Sequence, residues 1–223
     1  MKPLWVVDIG MIGYQEALEW QEQFQQKRIK DQVPDILMIV EHPPTITVGR
    51  SGSQSHILRS ADFLKEQGIS IYEISRGGDV TYHGPWQVVC YPILKLEDEE
   101  KDLHAYLHRL EEIMIQTLKS YDLVGGRKQA YSGAWVEDAK VGAVGVAVRQ
   151  YVTMHGFALN VNPQLEHFDL IVPCGIQEFK VTSLVKLGRV VTFIEVKEEL
   201  KRQCANVFNR ELIEKEFSIL KGK

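Results

Sequence analysis

Apolar side chains recur near 3.6 residues from Gly13 to about Asp31, where Tyr14, Ala17, Leu18, Gln21 and Phe24 share a stripe that predicts a helix. The pattern then changes. Residues 35–41 (Asp-Ile-Leu-Met-Ile-Val-Glu) form a short unbroken apolar run, which reads as a buried strand stopped by His42-Pro43-Pro44. Thr45 to Val48 alternates and meets Gly49, suggesting a second strand. Ser60 offers a cap and Gly68 a stop for a short helix between them. Ile69 to Ser75 and Gln87 to Leu94 are strand-like. The clearest amphipathic helix is Asp102 to Tyr121, with Leu103, Tyr106, Leu107, Leu110, Ile113, Met114, Thr117 and Leu118 on one stripe. Ala134 to Val136, Lys140 to Val148 and Val152 to Leu159 are three further strand candidates, and Glu195 to Asn209 a last helix. Strands and helices mix without regular alternation, which predicts an α+β layer fold rather than a doubly wound parallel sheet. From Ser183 onward a short strand at Arg189 to Thr192 and the last helix read as a small C-terminal extension (185–223) of a single domain spanning 1–223.

Composition changes this picture little. With 44% hydrophobic and 25% charged residues, the 223-residue chain has the make-up of an ordinary soluble globular protein. A net charge of −4 argues against a general nucleic-acid binder, whose domain carries a basic field, but allows a local basic patch for an acidic partner. The first residues read as no signal peptide, and no apolar run reaches the length of a membrane span. The three cysteines, Cys90, Cys174 and Cys204, are widely spaced and lack a CxxC pair, so neither a disulfide framework nor a zinc site is expected. A reducing, cytoplasmic setting fits. Cys90 and Cys204 read as small buried hydrophobes.

Cys174 is different. It lies between Pro173 and Gly175, one residue fixing the backbone and the other freeing it, so the chain is shaped to present one thiol. The run 76–85 (Arg-Gly-Gly-Asp-Val-Thr-Tyr-His-Gly-Pro) is the densest cluster of unusual residues. Its Gly-Gly pair lets backbone approach a ligand, with Arg76, Tyr82 and His83 offering polar contacts; as glycine chemistry alone it is equally a tight hairpin. Its glycine spacing matches neither a dinucleotide fingerprint nor a phosphate loop. Residues 140–147 are poor in large side chains, and a strand so pared down suits a long narrow apolar ligand such as an acyl chain. Lys140, which opens it, reads alone as a solvated strand-end lysine. His155-Gly156 leads into another strand; His155 is either a base or a hydrogen-bonded structural residue.

Together these segments resemble the octanoyltransferase family. The resemblance rests on residues 76–85, Lys140 with Ala143-Val144-Gly145, His155-Gly156-Phe157-Ala158-Leu159-Asn160, Pro173-Cys174-Gly175 and Val181-Thr182-Ser183-Leu184. Glu41-His42-Pro43 and Thr47-Val48-Gly49-Arg50 extend it, so it runs from about Asp8 to Leu184. It implies a mixed sheet with outer helices, the catalytic fold of lipoate and biotin protein ligases. It also implies transfer of an octanoyl group from octanoyl-acyl carrier protein to a lysine of lipoyl-domain proteins: the E2 subunits of 2-oxoacid dehydrogenases and the glycine cleavage H protein. Cys174 and Lys140 would form the catalytic pair. Substrate contacts would come from Arg76, Gly77, Gly78, Asp79, Val80, Thr81, Tyr82 and His83, from Ala143, Val144 and Gly145, and from Gly156, Phe157 and Ala158. No cofactor or metal is implied, and a monomer is the simplest expectation. Chemical reasoning adds backbone N–H groups near Cys174, Gly175 among them, as oxyanion donors. Arg127, Lys128, Arg149 and Lys180 are candidates to meet an acidic carrier.

One position departs from the family pattern. Trp86 stands where a glycine is usual before the glutamine, which bears on the local backbone and on the width of an acyl pocket. Two rival readings follow: an ATP-dependent lipoate–protein ligase, which has no use for a nucleophilic cysteine, and an acyl-binding relative without activity.

Overall fold

The computed structural model describes residues 1–129, 131–172 and 180–220. Its main sheet has nine strands: β1 (Lys2–Met11), β2 (Asp35–Glu41), β6 (Gln87–Ile93), β7 (Gly125–Lys128), β8 (Tyr131–Val136), β9 (Ala139–Arg149), β10 (Val152–Asn160), β11 (Lys180–Val181) and β12 (Arg210–Glu214). Their order across the sheet is β12-β1-β2-β6-β10-β9-β8-β7, with β11 on β9. β12, β1 and β2 run parallel, and from β2 to β7 the neighbours are antiparallel. A second sheet holds β3 (Thr45–Val48) between β4 (Ser70–Glu73) and β5 (Val80–His83).

The described residues also form five α-helices: α1 (Tyr14–Ile29), α2 (Ala61–Glu66), α3 (Leu103–Lys119), α4 (Phe193–Phe208) and α5 (Phe217–Leu220). α1 covers one face of the main sheet and α3 and α4 the other, while α2 packs on the small sheet; β2 shows why both faces need cover. Ile36, Met38 and Val40 point to the layer holding Ala17 and Phe24 of α1, while Leu37 and Ile39 join the layer of α3 and α4. A strand with both faces buried is an unbroken apolar run, as the sequence has it. The predicted caps form: Ser60 Oγ accepts from Phe63 N–H at 3.3 Å, and Gly68 takes φ +69° beyond α2.

Several expectations change. Residues 189–192 are not a strand: Val190 is fully exposed and Thr192 serves as the N-cap of α4, paired with Glu195 in a capping box. Leu103, placed on the buried stripe by spacing, is 45% exposed because it sits in the first turn. β1, β5, β7 and β12 carried no sequence prediction. β1 is interrupted by Asp8 and Gly10, and β7 is Gly-Gly-Arg-Lys with no alternation at all. The C-terminal part is woven into the fold, since β12 pairs with β1 from Lys2↔Arg210 to Val6↔Glu214.

Candidate active site

A cavity of about 400 Å³ lies against the middle of the main sheet, on the face that also carries α1. Its floor is the β9–β10 ladder. Register sets Ala143 opposite Ala158 and Gly145 opposite Gly156, so four small residues share one face of two adjacent strands. Two of the glycines are small for the protein's own sake. A Cβ on Gly156 would lie 2.2 Å from Cys90 O, and one on Gly145 would lie 2.9 Å from Arg76 Cδ. The pared-down floor therefore results partly from close backbone packing, not only from room for a ligand.

The roof is the loop 76–79 leading into β5. Gly77 N–H donates to Val146 O at 2.8 Å, tying the loop over β9. Arg76 is buried and anchors it: Nη2 donates to Thr47 O and Oγ1, each at 2.8 Å, and Nη1 to Gly77 O at 3.1 Å. Gly77, Gly78, Asp79, Val80, Thr81 and His83 all line the cavity with Arg76. Tyr82 does not. Strand alternation turns it into the core of the small sheet, where its OH meets His167 Nδ1 at 2.7 Å and its ring packs edge-on against Phe168. Tyr14, Gln87 and Tyr91, which the motifs did not single out as contacts, line the cavity as well, and so does Asn160 at the end of the His155–Asn160 motif.

Lys140 stands on the cavity wall, with Nζ 5.5 Å from the centre of the Trp135 ring. Its stem passes Gly133, where a Cβ would lie 2.7 Å from Lys140 Cε; that glycine also holds φ +136°. Val144 and Phe157 line the cavity too, Phe157 from a strand position whose ring joins the opposite core layer.

Burial keeps the histidines and tyrosines in and beside the cavity neutral. His42 accepts a hydrogen bond from the Tyr91 hydroxyl at Nε2 and donates from Nδ1 to Ile12 O, both at 2.8 Å; desolvation pushes its pKa down to about 4. Desolvation, with the Arg76 and Arg50 charges behind it, lowers His155 to about 3. His155 takes φ +59°, its backbone N–H donates to Gln21 Oε1 at 2.9 Å, and its Nε2 lies 3.4 Å from Ser75 Oγ. Burial likewise raises the Tyr14 and Tyr91 hydroxyls far above the ordinary tyrosine range.

The family profile of the lipoyl protein ligase A/B catalytic domain matches residues 13–205. An octanoyltransferase of Caldicellulosiruptor bescii is 44% identical over 222 residues, 96% of each chain. One from Desulforamulus reducens is 44% identical over 210 residues, covering 93% of this chain and 92% of that one. The chain belongs to the octanoyltransferase family. It is an acyltransferase. Its fold is shared with a putative lipoate protein ligase of T. acidophilum, with a TM-score of 0.76 at 15% identity over 97% of this chain and 90% of that one. The biotin protein ligase of Aquifex aeolicus is more distant, with a TM-score of 0.52 at 11% identity over 94% of this chain and 70% of that one.

Pro173, Cys174 and Gly175, the expected site of the nucleophile, lie outside the described residues. The chain on either side of them does not. Val172 N–H donates to His56 O at 2.8 Å, and His56 Nδ1 meets the cavity's Asp79 Oδ2 at 2.7 Å. On the far side Val181 pairs with Lys140, and Thr182 N–H donates to Lys140 O at 2.9 Å. Val172 is thus tied to His56, and Val181 and Thr182 to the strand that carries Lys140.

Trp86 proves to be a backbone matter. Its φ is +66°, a conformation glycine adopts without cost and a tryptophan does not. The indole points away from the cavity, 45% exposed, with its ring 5.9 Å from that of Phe193; the backbone N–H donates to Glu41 Oε1 at 2.6 Å. A Trp86→Gly variant should therefore keep its transfer rate within about twofold. Relief of backbone strain (about 1 kcal/mol) and the lost ring contact should nearly cancel in a urea titration. Activity that appears only in the variant would instead mark the natural chain as inactive.

Of the basic residues proposed for a carrier, Arg127 is engaged by Glu111 at 3.0 Å and Glu112 at 2.5 Å, and Lys128 by Asp138 at 2.5 Å. Arg149 and Lys180 are exposed.

Proposed function

We propose that this acyltransferase, working as a cytoplasmic monomer, moves an octanoyl group from octanoyl-acyl carrier protein to a specific lysine of lipoyl-domain proteins, the first step of endogenous lipoate synthesis. Cys174 carries the acyl group between donor and acceptor. The observation that supports this best is that Lys140 stands on the cavity wall and pairs with Val181, a few residues downstream of Cys174 in the chain.

The chemistry follows from the residue types. A cation beside a thiol favours the thiolate, the form that attacks a thioester carbonyl. In the first half, the Cys174 C–S bond forms, the carrier C–S bond breaks, and the carrier thiolate leaves with a proton supplied by the Lys140 ammonium. In the second half the amine of the acceptor lysine attacks the Cys174 thioester, an amide forms, and the thiol is regenerated. The acyl group is already activated as a thioester, so no nucleotide is consumed. The small-residue floor of Ala143, Gly145, Gly156 and Ala158 accommodates the chain, and the loop from Arg76 to Thr81 covers it.

Intact-mass measurement after mixing the protein with octanoyl-acyl carrier protein, without ATP, should give one octanoyl gain. The gain should be absent from a Cys174→Ala variant. A gain that persists in that variant, or that requires ATP, overturns the reading.

A further inference from the structure

The cavity ends at one side chain. Along β6, strand alternation puts Gln87, Val89 and Tyr91 on the cavity face. β10 runs beside them, with Asn160 opposite Gln87, Ala158 opposite Val89, and Gly156 next in the row. Among the described residues, no residue of β6 beyond Tyr91 lines the cavity. One step further along β9 and β10, Ala147 and Met154 line a different groove, against α1.

The other end lies at the level of Lys140. Thr182 N–H donates to Lys140 O at 2.9 Å, and Thr182 O accepts from Asn160 Nδ2 at 3.0 Å. Asn160 Oδ1 accepts in turn from Gln87 Nε2 at 2.8 Å, and Gln87 Oε1 from His83 Nδ1 at 2.6 Å, so each donor in the line fixes the next. From this row to Tyr91 is four strand residues, roughly 13 Å. Less one van der Waals contact of about 3.5–4 Å against the ring, about 9 Å remains. An extended octanoyl group has seven C–C bonds, each advancing about 1.25 Å, and so also spans about 9 Å.

The ring is not free to move aside. Tyr91 is buried, its hydroxyl donates to His42 Nε2 at 2.8 Å and also bonds the Tyr14 hydroxyl, and the His155 ring meets it edge-on at 6.5 Å. His42 is itself fixed by its bond to Ile12 O. Swinging Tyr91 away would strip buried polar atoms of His42 and Tyr14 of a partner. The Arg76 stem closes the corner beside it, over Gly145.

We infer that the Tyr91 ring is the stop against which the methyl end of the acyl chain rests, and that it sets the length of chain this enzyme transfers. The inference rests on the reading of this cavity as the acyl site. A shorter chain leaves the far end empty and forfeits contacts with the small residues of β9 and β10. A longer one fits only by displacing a ring that three neighbours hold in place.

A competition tests it. Equal amounts of hexanoyl-, octanoyl-, decanoyl- and dodecanoyl-acyl carrier protein are mixed with the enzyme and a lipoyl domain, and the chains attached to the domain are read by intact mass. Wild type should favour octanoyl over the two longer chains by roughly 10-fold or more, the discrimination that one or two methylenes give in a closed pocket. Tyr91→Leu should move the maximum to decanoyl or dodecanoyl and raise the dodecanoyl-to-octanoyl ratio by about 10-fold or more. A merely structural loss would lower every chain alike and leave the ratios in place. Tyr91→Phe keeps the ring without its hydroxyl, and its maximum should stay at octanoyl. Where Tyr91→Leu unfolds early in a thermal scan, Tyr91→Met is read instead. Wild-type ratios in the Leu or Met variant, a moved maximum in Tyr91→Phe, or a wild type that takes all four chains equally overturns the inference. A wild type that attaches no chain of any length overturns the acyl-transfer reading instead.

Discussion

In a Lys140→Ala variant the Cys174 thiol should lose most of its reactivity at neutral pH. A neighbouring ammonium lowers a thiol's pKa by about 1–3 units, so removing it cuts the thiolate population near pH 7 by roughly 10- to 10³-fold. Transfer should fall at least as far, because in the proposed mechanism the same residue supplies the proton that the carrier thiol needs. The sign of the pH response follows. With the cation gone the thiol ionises at higher pH, so the rising limb of the rate profile moves up. Iodoacetamide labelling of Cys174, compared between wild type and variant across pH 6–9, reads the thiolate directly. Lys140→Arg separates the two duties: it keeps the charge and the fast labelling but does not release a proton near neutrality, so labelling survives while turnover does not. Equal labelling in wild type and Lys140→Ala would remove Lys140 from the chemistry.

Replacing Asp35 with alanine should cost about 3–5 kcal/mol of unfolding free energy, a large share of the ~5–15 kcal/mol that holds a typical domain. Asp35 is buried at the start of β2 and receives Arg28 Nε at 2.8 Å, Arg210 Nε at 3.0 Å and the Lys95 backbone N–H at 3.1 Å. Without it two largely buried guanidinium groups lose their shared counter-charge. Arg210 begins β12, so the effect reaches the seam where the C-terminal strand joins β1. The ion pair of Lys2 with Glu97 is a useful contrast: at 2.8 Å it is as short, yet its side chains are 48% and 46% exposed. Glu97→Gln should therefore change stability by less than about 1 kcal/mol. Urea unfolding of both variants tests the pair. An Asp35→Ala cost as small as that of Glu97→Gln would mean that backbone pairing alone holds β12.

Much of the architecture was legible because burial imposes periodicity. α1 and α3 advertise one apolar stripe each, and β2 reads as a continuous apolar run because helices cover both sides of it. Where pairing rather than burial makes the strand, the pattern disappears. β7 is recognised by its neighbour β8 and not by its own Gly-Gly-Arg-Lys, and the partly exposed edge β12 is held partly by Arg210 reaching Asp35, 175 residues earlier. Residues 189–192 show the reverse error. Their β-branched run resembles a strand, but it joins no ladder among the described residues, and Thr192 is claimed by the helix that follows.

The same division holds at the candidate site. The order of motifs along the chain was enough to name the family: the Cys174 segment, a lysine opening a stretch of small residues and a Gly-Gly loop carry the octanoyltransferase likeness together. Tertiary structure decided which of those residues meet and why. Strand alternation turns Tyr82 out of the cavity and His83 into it, and the β9–β10 register brings Ala143, Gly145, Gly156 and Ala158 onto one floor. A positive φ, not pocket width, is what makes Trp86 unusual. The direction of the chain from Thr182 through Asn160 and Gln87 to His83 also exists only in three dimensions. Hydrogen-bond polarity is passed between side chains that are distant in sequence, and local spacing carries no record of it.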